Sequence, residues 1–125
     1  NAKTMVSELI KLDYNVVSGE TMNHCMLIDL RSKNINGKTA EDILQVGDIT
    51  VNKNMVPFDT ESPFITSGIR LGTPAITTRG LNENDCKKIV QFIDEILANV
   101  NSLDRVNEIK IDVNNYMRKF PMFKV

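Results

Sequence analysis

Phe64-Ile65-Thr66-Ser67-Gly68-Ile69-Arg70-Leu71-Gly72 reads as a β-strand, and its two faces dictate what must surround it. Successive side chains of a strand point to opposite sides. Ile65, Ser67, Ile69 and Leu71 therefore share one face, and Thr66, Gly68, Arg70 and Gly72 share the other. The first face is mostly apolar and needs a cover. Downstream, Gly72-Thr73-Pro74 leads to a second short strand at 75–77. After Gly80, Asn82 is placed to cap a helix in which Cys86, Ile89, Val90, Ile93, Ile96, Leu97 and Val100 form one stripe. A last helix carries Val106, Ile109, Val113, Tyr116, Met117 and Phe120 on one side and stops before Pro121.

Upstream, residues 52–63 include Asn52, Asn54, Pro57, Asp59, Glu61 and Pro63. They are too polar and too proline-broken for regular structure, and they predict a loop of about a dozen residues, a length usually tied to function. Before it, Ile49-Thr50-Val51 reads as a short strand. Asn36-Gly37 opens a helix with Ala40, Ile43 and Leu44 on one face, and Gly47 is placed to end it in a left-handed conformation. Val16-Val17 and Cys25-Met26-Leu27-Ile28-Asp29-Leu30 read as strands joined through Ser18-Gly19-Glu20. Ala2, Met5, Val6, Leu9 and Ile10 fall at helical spacing with no capping residue before them, the pattern expected of a cut through a longer helix. This order of elements predicts an α/β two-layer sandwich, with helices against a small mixed or antiparallel sheet and residues 1–125 forming one domain.

A chain of 125 residues buries roughly two-thirds of its unfolded surface, enough for a real core. Fifteen basic against sixteen acidic side chains provide no positive field for a phosphate backbone, and aromatics at 6% offer few stacking platforms, which argues against nucleic acid as a partner. No apolar run reaches the roughly 20 residues a bilayer requires, so a soluble, cytoplasmic protein without a membrane partner is expected. Two distant cysteines and one histidine exclude a structural zinc site. Cys25 and Cys86 read as small buried hydrophobes.

Arg70 is the candidate for chemistry. Gly68 and Gly72 flank it on its own face and remove bulk beside the guanidinium, leaving room for a small carboxylate or phosphate gripped bidentately. The plainer alternative is a sheet-edge arginine covered by water or paired with an acid. Asn52, Lys53 and Asn54 lead toward the same strand and suit an amide-like heteroaromatic ligand, or else satisfy their own turns. His24 reads as structural, since no nucleophile and orienting acid accompany it. Asp59 and Glu61 fall in the loop, and the alternation of its strand exposes Asp29. No glycine-rich phosphate loop precedes a helix.

Thr50-Val51-Asn52-Lys53-Asn54, Pro57-Phe58-Asp59 and the run from Ser62-Pro63-Phe64-Ile65-Thr66-Ser67-Gly68-Ile69-Arg70-Leu71-Gly72-Thr73-Pro74 to Thr78-Arg79-Gly80 closely resemble the C-terminal part of serine hydroxymethyltransferases. His24 to Leu30 and Asn36-Gly37-Lys38-Thr39-Ala40-Glu41 are similar to the same family's strand and helix start. Gly19-Glu20-Thr21-Met22-Asn23-His24 departs from its usual pattern, with Glu20 where a glycine and Met22 where an acid is usual.

The resemblance implies the small C-terminal domain of a pyridoxal 5'-phosphate enzyme of the aspartate-aminotransferase fold type, which moves a one-carbon unit between serine and tetrahydrofolate. Position by position, Arg70 matches the arginine that binds the substrate carboxylate. Ser62, Pro63 and Phe64 match a folate-contacting segment, Asn54 an asparagine that holds the pteridine ring, and Arg79 a supporting position. The aldimine lysine and the other cofactor-binding groups belong to the family's large domain, and no segment here matches them. The chain is thus expected to be a fragment, inactive alone, with the large pyridoxal-phosphate domain as partner and a homodimer when complete. The competing expectation is an autonomous, non-catalytic small-molecule or protein-interaction module of the same fold.

Overall fold

The computed structural model describes residues 2–17, 25–72 and 82–118. Among these residues, four helices cover one side of a four-stranded sheet. In chain order the elements are α1 (Ala2–Lys11), β1 (Asn15–Val16), β2 (Cys25–Asp29), a 3-10 turn (Arg31–Lys33), α2 (Gly37–Val46), β3 (Asn52–Asn54), β4 (Gly68–Gly72), α3 (Glu83–Leu97) and α4 (Leu103–Met117). The sheet order is β1-β2-β4-β3 and every pair is antiparallel, which resolves the mixed-or-antiparallel expectation. In register, Leu27 and Asn52 lie opposite Arg70, Ile28 and Lys53 opposite Ile69, and Asp29 and Asn54 opposite Gly68.

Local chemistry explains the helices. The Asn36 side chain accepts a hydrogen bond from the Thr39 amide and so caps α2. Asn82 does the same for α3 through the Asp85 amide, while the Asp85 carboxylate accepts from the Asn82 amide; this reciprocal box ties up two otherwise orphan donors. The expected α3 stripe is the centre of the core. Cys86, Ile89, Val90, Ile93, Ile96 and Leu97 are buried against Met5 and Leu9 of α1, Leu44 of α2, Val106 and Ile109 of α4, and the inner sheet residues Met26, Ile28, Ile69 and Leu71. α4 ends at Met117, consistent with the expected stop before Pro121.

Three expectations change. Gly47 does not adopt a left-handed conformation (φ −82°); Asp48 does (φ 63°). Gly47 is needed for close packing instead, because a Cβ there would lie 2.4 Å from Ile96 Cδ1. Ile49-Thr50-Val51 is not a strand: the Ile49 amide donates to the Leu44 carbonyl, and Ile49 and Val51 are buried as the exit of α2. Their apolar alternation reported burial, whereas the polar Asn52-Lys53-Asn54 pairs with β4.

The strand expected at 64–71 starts only at Gly68. The Ile65 and Thr66 amides both donate to the Ser62 carbonyl, and Thr66 sits at φ 61°, so the chain turns there and cannot extend. The strand expected at 75–77, with His24, Glu20, Met22, Arg79 and Phe120, lies outside the described residues.

Candidate substrate-binding face

Among the described residues, helices cover only the inner face of the sheet. On the outer face, Asn52, Arg70 and Leu27 form one row across β3, β4 and β2, with Arg70 and Asn52 exposed and Leu27 half-buried. Two residues along lies the row Asn54, Gly68 and Asp29. Arg70 and Asn54 therefore share one face of adjacent strands, two rungs apart. Among the described residues no acid pairs with Arg70, so the alternative of an internal ion pair finds no partner there.

On the Gly68 side the space beside Arg70 is closed. A Cβ on Gly68 would lie 2.6 Å from Val56 Cγ1 and 2.7 Å from the Ile28 carbonyl oxygen, so the loop already fills that side. Glycine at this position admits Val56 rather than opening a pocket.

Residues 55–67 close over the Gly68 end of the face. Asp59 organises them: its Oδ2 accepts from the Ser67 amide (2.8 Å) and the Val56 amide (3.2 Å), and its Oδ1 accepts from Ser67 Oγ (2.7 Å) and the Glu61 amide (2.8 Å). Desolvation pushes this carboxyl upward, but the hydrogen bonds from Ser67, Glu61 and Val56 outweigh it and hold the group well below the usual carboxylate range. Far from sitting in a featureless loop, Asp59 gives the loop its shape.

Asp29 also departs from expectation. It is only 5% exposed, and Arg31 grips it through Nε (3.0 Å) and Nη2 (2.6 Å) to Oδ2. Burial raises the Asp29 carboxyl, yet the hydrogen bonds and charge of Arg31 hold it below its ordinary value. The same guanidinium donates weakly to the Phe58 carbonyl (3.4 Å), tying the loop to β2. On the other side, the Gly37 and Lys38 amides of α2 donate to the Thr66 and Ile65 carbonyls (3.0 and 2.9 Å).

The remaining candidates sit on this loop or at its root. Ser62, Pro63 and Phe64 are exposed, Phe64 at 81%. Phe58 stands clear at 96% exposed, a residue that sequence reasoning did not single out. Asn54 is half-buried and its amide donates to the Met55 carbonyl (2.8 Å), so one of its donors serves its own turn. The result is a cation and two asparagines on an open sheet face, beside a braced loop that presents two aromatic rings to solvent. This combination suits a ligand with a carboxylate and a flat ring system.

A family model for serine hydroxymethyltransferase matches residues 1–93. The chain belongs to the serine hydroxymethyltransferase family. The match runs from α1 through the whole candidate face and into α3. Membership places the chain among transferases of the hydroxymethyltransferase kind, a family dependent on pyridoxal phosphate and folate.

Among the described residues, the lysines and grooves do not fit pyridoxal phosphate. Every described lysine is at least partly exposed. Two grooves, of about 400 Å³ beside Lys3, Lys11 and Lys87 and about 370 Å³ beside Lys88 and Tyr116, are open and lie on the helical layer. Neither encloses a lysine amine with a cradle of donors. No described helix is long and apolar enough to cross a membrane.

Proposed function

We propose that this chain is the C-terminal domain of an enzyme that interconverts serine plus tetrahydrofolate with glycine plus 5,10-methylenetetrahydrofolate. In this reading it supplies contacts to both substrates while the large domain holds the pyridoxal phosphate. The observation that carries it is the exposed guanidinium of Arg70, which meets no acid among the described residues, on a chain of this family. Arg70 binds the amino-acid carboxylate through two parallel N–H donors and fixes its orientation, so that the bond to be broken is held in line for reaction. Asn54, Ser62, Pro63 and Phe64 receive the folate, with Phe64 covering the ring and Asn54 offering an amide to its polar edge. A homodimer in the cytoplasm is part of the same reading, as is the inactivity of the isolated chain.

The test is substitution of Arg70 in the complete enzyme. Arg70→Lys keeps the charge but loses the planar fork, and a charged hydrogen bond of about 1.5–3 kcal/mol corresponds to roughly 10- to 150-fold in serine affinity. Arg70→Ala should cost more, because the substrate carboxylate is left unpaired. Folate affinity should move far less in both. Unchanged serine affinity with a lowered melting temperature would make Arg70 a structural residue and overturn the assignment.

A further inference from the structure

We infer that Asp59 is a positioning residue for the folate substrate: its carboxylate closes the 56–67 loop at its base and thereby holds Phe64 in place beside the sheet face. This deepens, and rests on, the reading of Ser62, Pro63 and Phe64 as folate contacts. Packing alone does not hold this loop: Val56 is buried beside Gly68, but Phe58 and Phe64 are exposed and bury little against the core. Hydrogen bonds hold it. Among them, Asp59 is the side chain that reaches both ends, bonding Val56 on the outgoing strand of the loop and Ser67 on the returning one, with Glu61 between.

All four groups facing the carboxylate are donors. An ionised carboxylate offers only acceptors and can satisfy all of them. An amide cannot: in Asp59→Asn the oxygen still accepts from one side, but the NH₂ meets the N–H or O–H donors on the other, and the base of the loop opens. Thr66 at φ 61°, immediately before Ser67, makes the cost of an alternative path small once the clamp is gone, since the left-handed conformation is unfavourable for a β-branched residue. Arg70 sits three residues beyond Ser67, within β4 and paired on both sides. Loss of the clamp therefore disturbs the loop and leaves the arginine's strand in register.

The experiment compares wild type, Asp59→Asn, Ser67→Ala and Phe64→Ala in the complete enzyme, measuring KM for tetrahydrofolate, KM for serine and amide hydrogen exchange. Asp59→Asn should raise the folate KM about tenfold or more, leave the serine KM within about twofold, and speed exchange at the Glu61 and Ser67 amides while α3 stays protected. Ser67→Ala removes one of the four donors and should act in the same direction more weakly, about threefold; it carries the test if Asp59→Asn does not fold. Phe64 is 81% exposed, so Phe64→Ala reports on the folate contact itself. If Phe64→Ala raises the folate KM but neither clamp variant does, Asp59 has no positioning role and the folate reading stands. If Phe64→Ala leaves the folate KM unchanged, the folate reading falls and takes this inference with it. Equal rises in both KM values for Asp59→Asn would show a general structural role and also overturn the proposal.

Discussion

In the helical layer, Ile89, Ile93 and Ile96 of α3 are almost fully buried, among apolar side chains from three other helices and the sheet. In the 55–67 loop the large apolar side chains Met55, Phe58 and Phe64 face solvent, and shape is kept by Asp59, Arg31 and the first amides of α2. One region is closed by surface removed from water, the other by directed polar contacts. The two regions therefore tolerate substitution differently. A packed stripe resists volume changes at every position, while the loop tolerates changes at its tips and not at its hub.

The sharpest way to break that contrast is to truncate one residue of each kind. Ile93→Ala should destabilise the chain by about 2–5 kcal/mol, from lost burial and the cavity left behind. Phe58→Ala and Phe64→Ala should stay within about 0.5 kcal/mol, since neither ring is buried. Urea unfolding of the 125-residue chain measures both. A loss above about 1 kcal/mol at Phe64, half the smallest core effect, would mean that its ring packs against something and that the loop has a core of its own.

Next in size is the seam where the two regions meet. A Cβ on Gly37 would stand 2.0 Å from Thr66 Oγ1 and 2.4 Å from the Gly68 carbonyl oxygen, so α2 can approach the loop only because it begins with glycine. Gly37→Ala should cost about 1–3 kcal/mol through overpacking against backbone that β4 holds fixed. Gly47→Ala presses closest on a side-chain end, Ile96 Cδ1 at 2.4 Å, rather than on backbone, and should cost less. Equal losses at the two glycines would show that the loop yields as readily as a side chain.

These same elements show what could be read without coordinates. The α3 stripe and the Asn36 and Asn82 caps were legible because a helix writes its burial at a fixed period and its start in a local side-chain bond. The family motif around Arg70 was legible too, and its strand places Arg70 on the outward face as alternation required. The limits of β3 and β4 were not, because pairing is decided by a neighbour remote in the chain. Polar Asn52-Lys53-Asn54 became a strand, and apolar Ile49-Thr50-Val51 did not. Asp59 left half a trace. Its bond to the Glu61 amide is an Asx-turn that Asp-x-Glu spacing permits, but the bonds to Ser67 span eight residues, and no local pattern announces them.

Acid separates the two regions by charge. Asp59 and Asp29 both have folded-state values below those of an unfolded chain, near 3.9. Their contribution is therefore fully present above about pH 4 and is lost as pH falls through the folded values, when the folded state must take up protons it binds weakly. Stability followed from pH 6 down to pH 2 should decline in wild type, and less steeply in Asp59→Asn, so that the two curves converge. Parallel curves would mean that the ionised Asp59 is no better satisfied than in the unfolded chain.

Alkali should act on the helical layer instead, through Tyr116. Its hydroxyl donates to Asp85 Oδ1, joining the last turns of α4 to the capped start of α3, and its ring meets Phe92 edge-on at 5.9 Å. Burial first, and then the hydrogen bond to Asp85 and that residue's charge, push the phenol up to about 12 from its ordinary value near 10. Below about pH 10 both folded and unfolded chains keep the proton, and the contribution is complete. Between about pH 10 and 12 the unfolded chain ionises while the folded one does not, so the contribution drains away. Tyr116→Phe keeps the ring and its contact with Phe92 and removes only the hydroxyl. The variant should be less stable by about 0.5–1.5 kcal/mol at neutral pH, the lower part of the range being expected because the residue is partly exposed to solvent. The gap should then narrow from pH 10 upward, since the unfolded wild-type chain gains an ionisation that the variant lacks. Urea midpoints for the two chains at pH 7, 10 and 11 decide it. A gap that stays constant would show that Tyr116 titrates alike folded and unfolded.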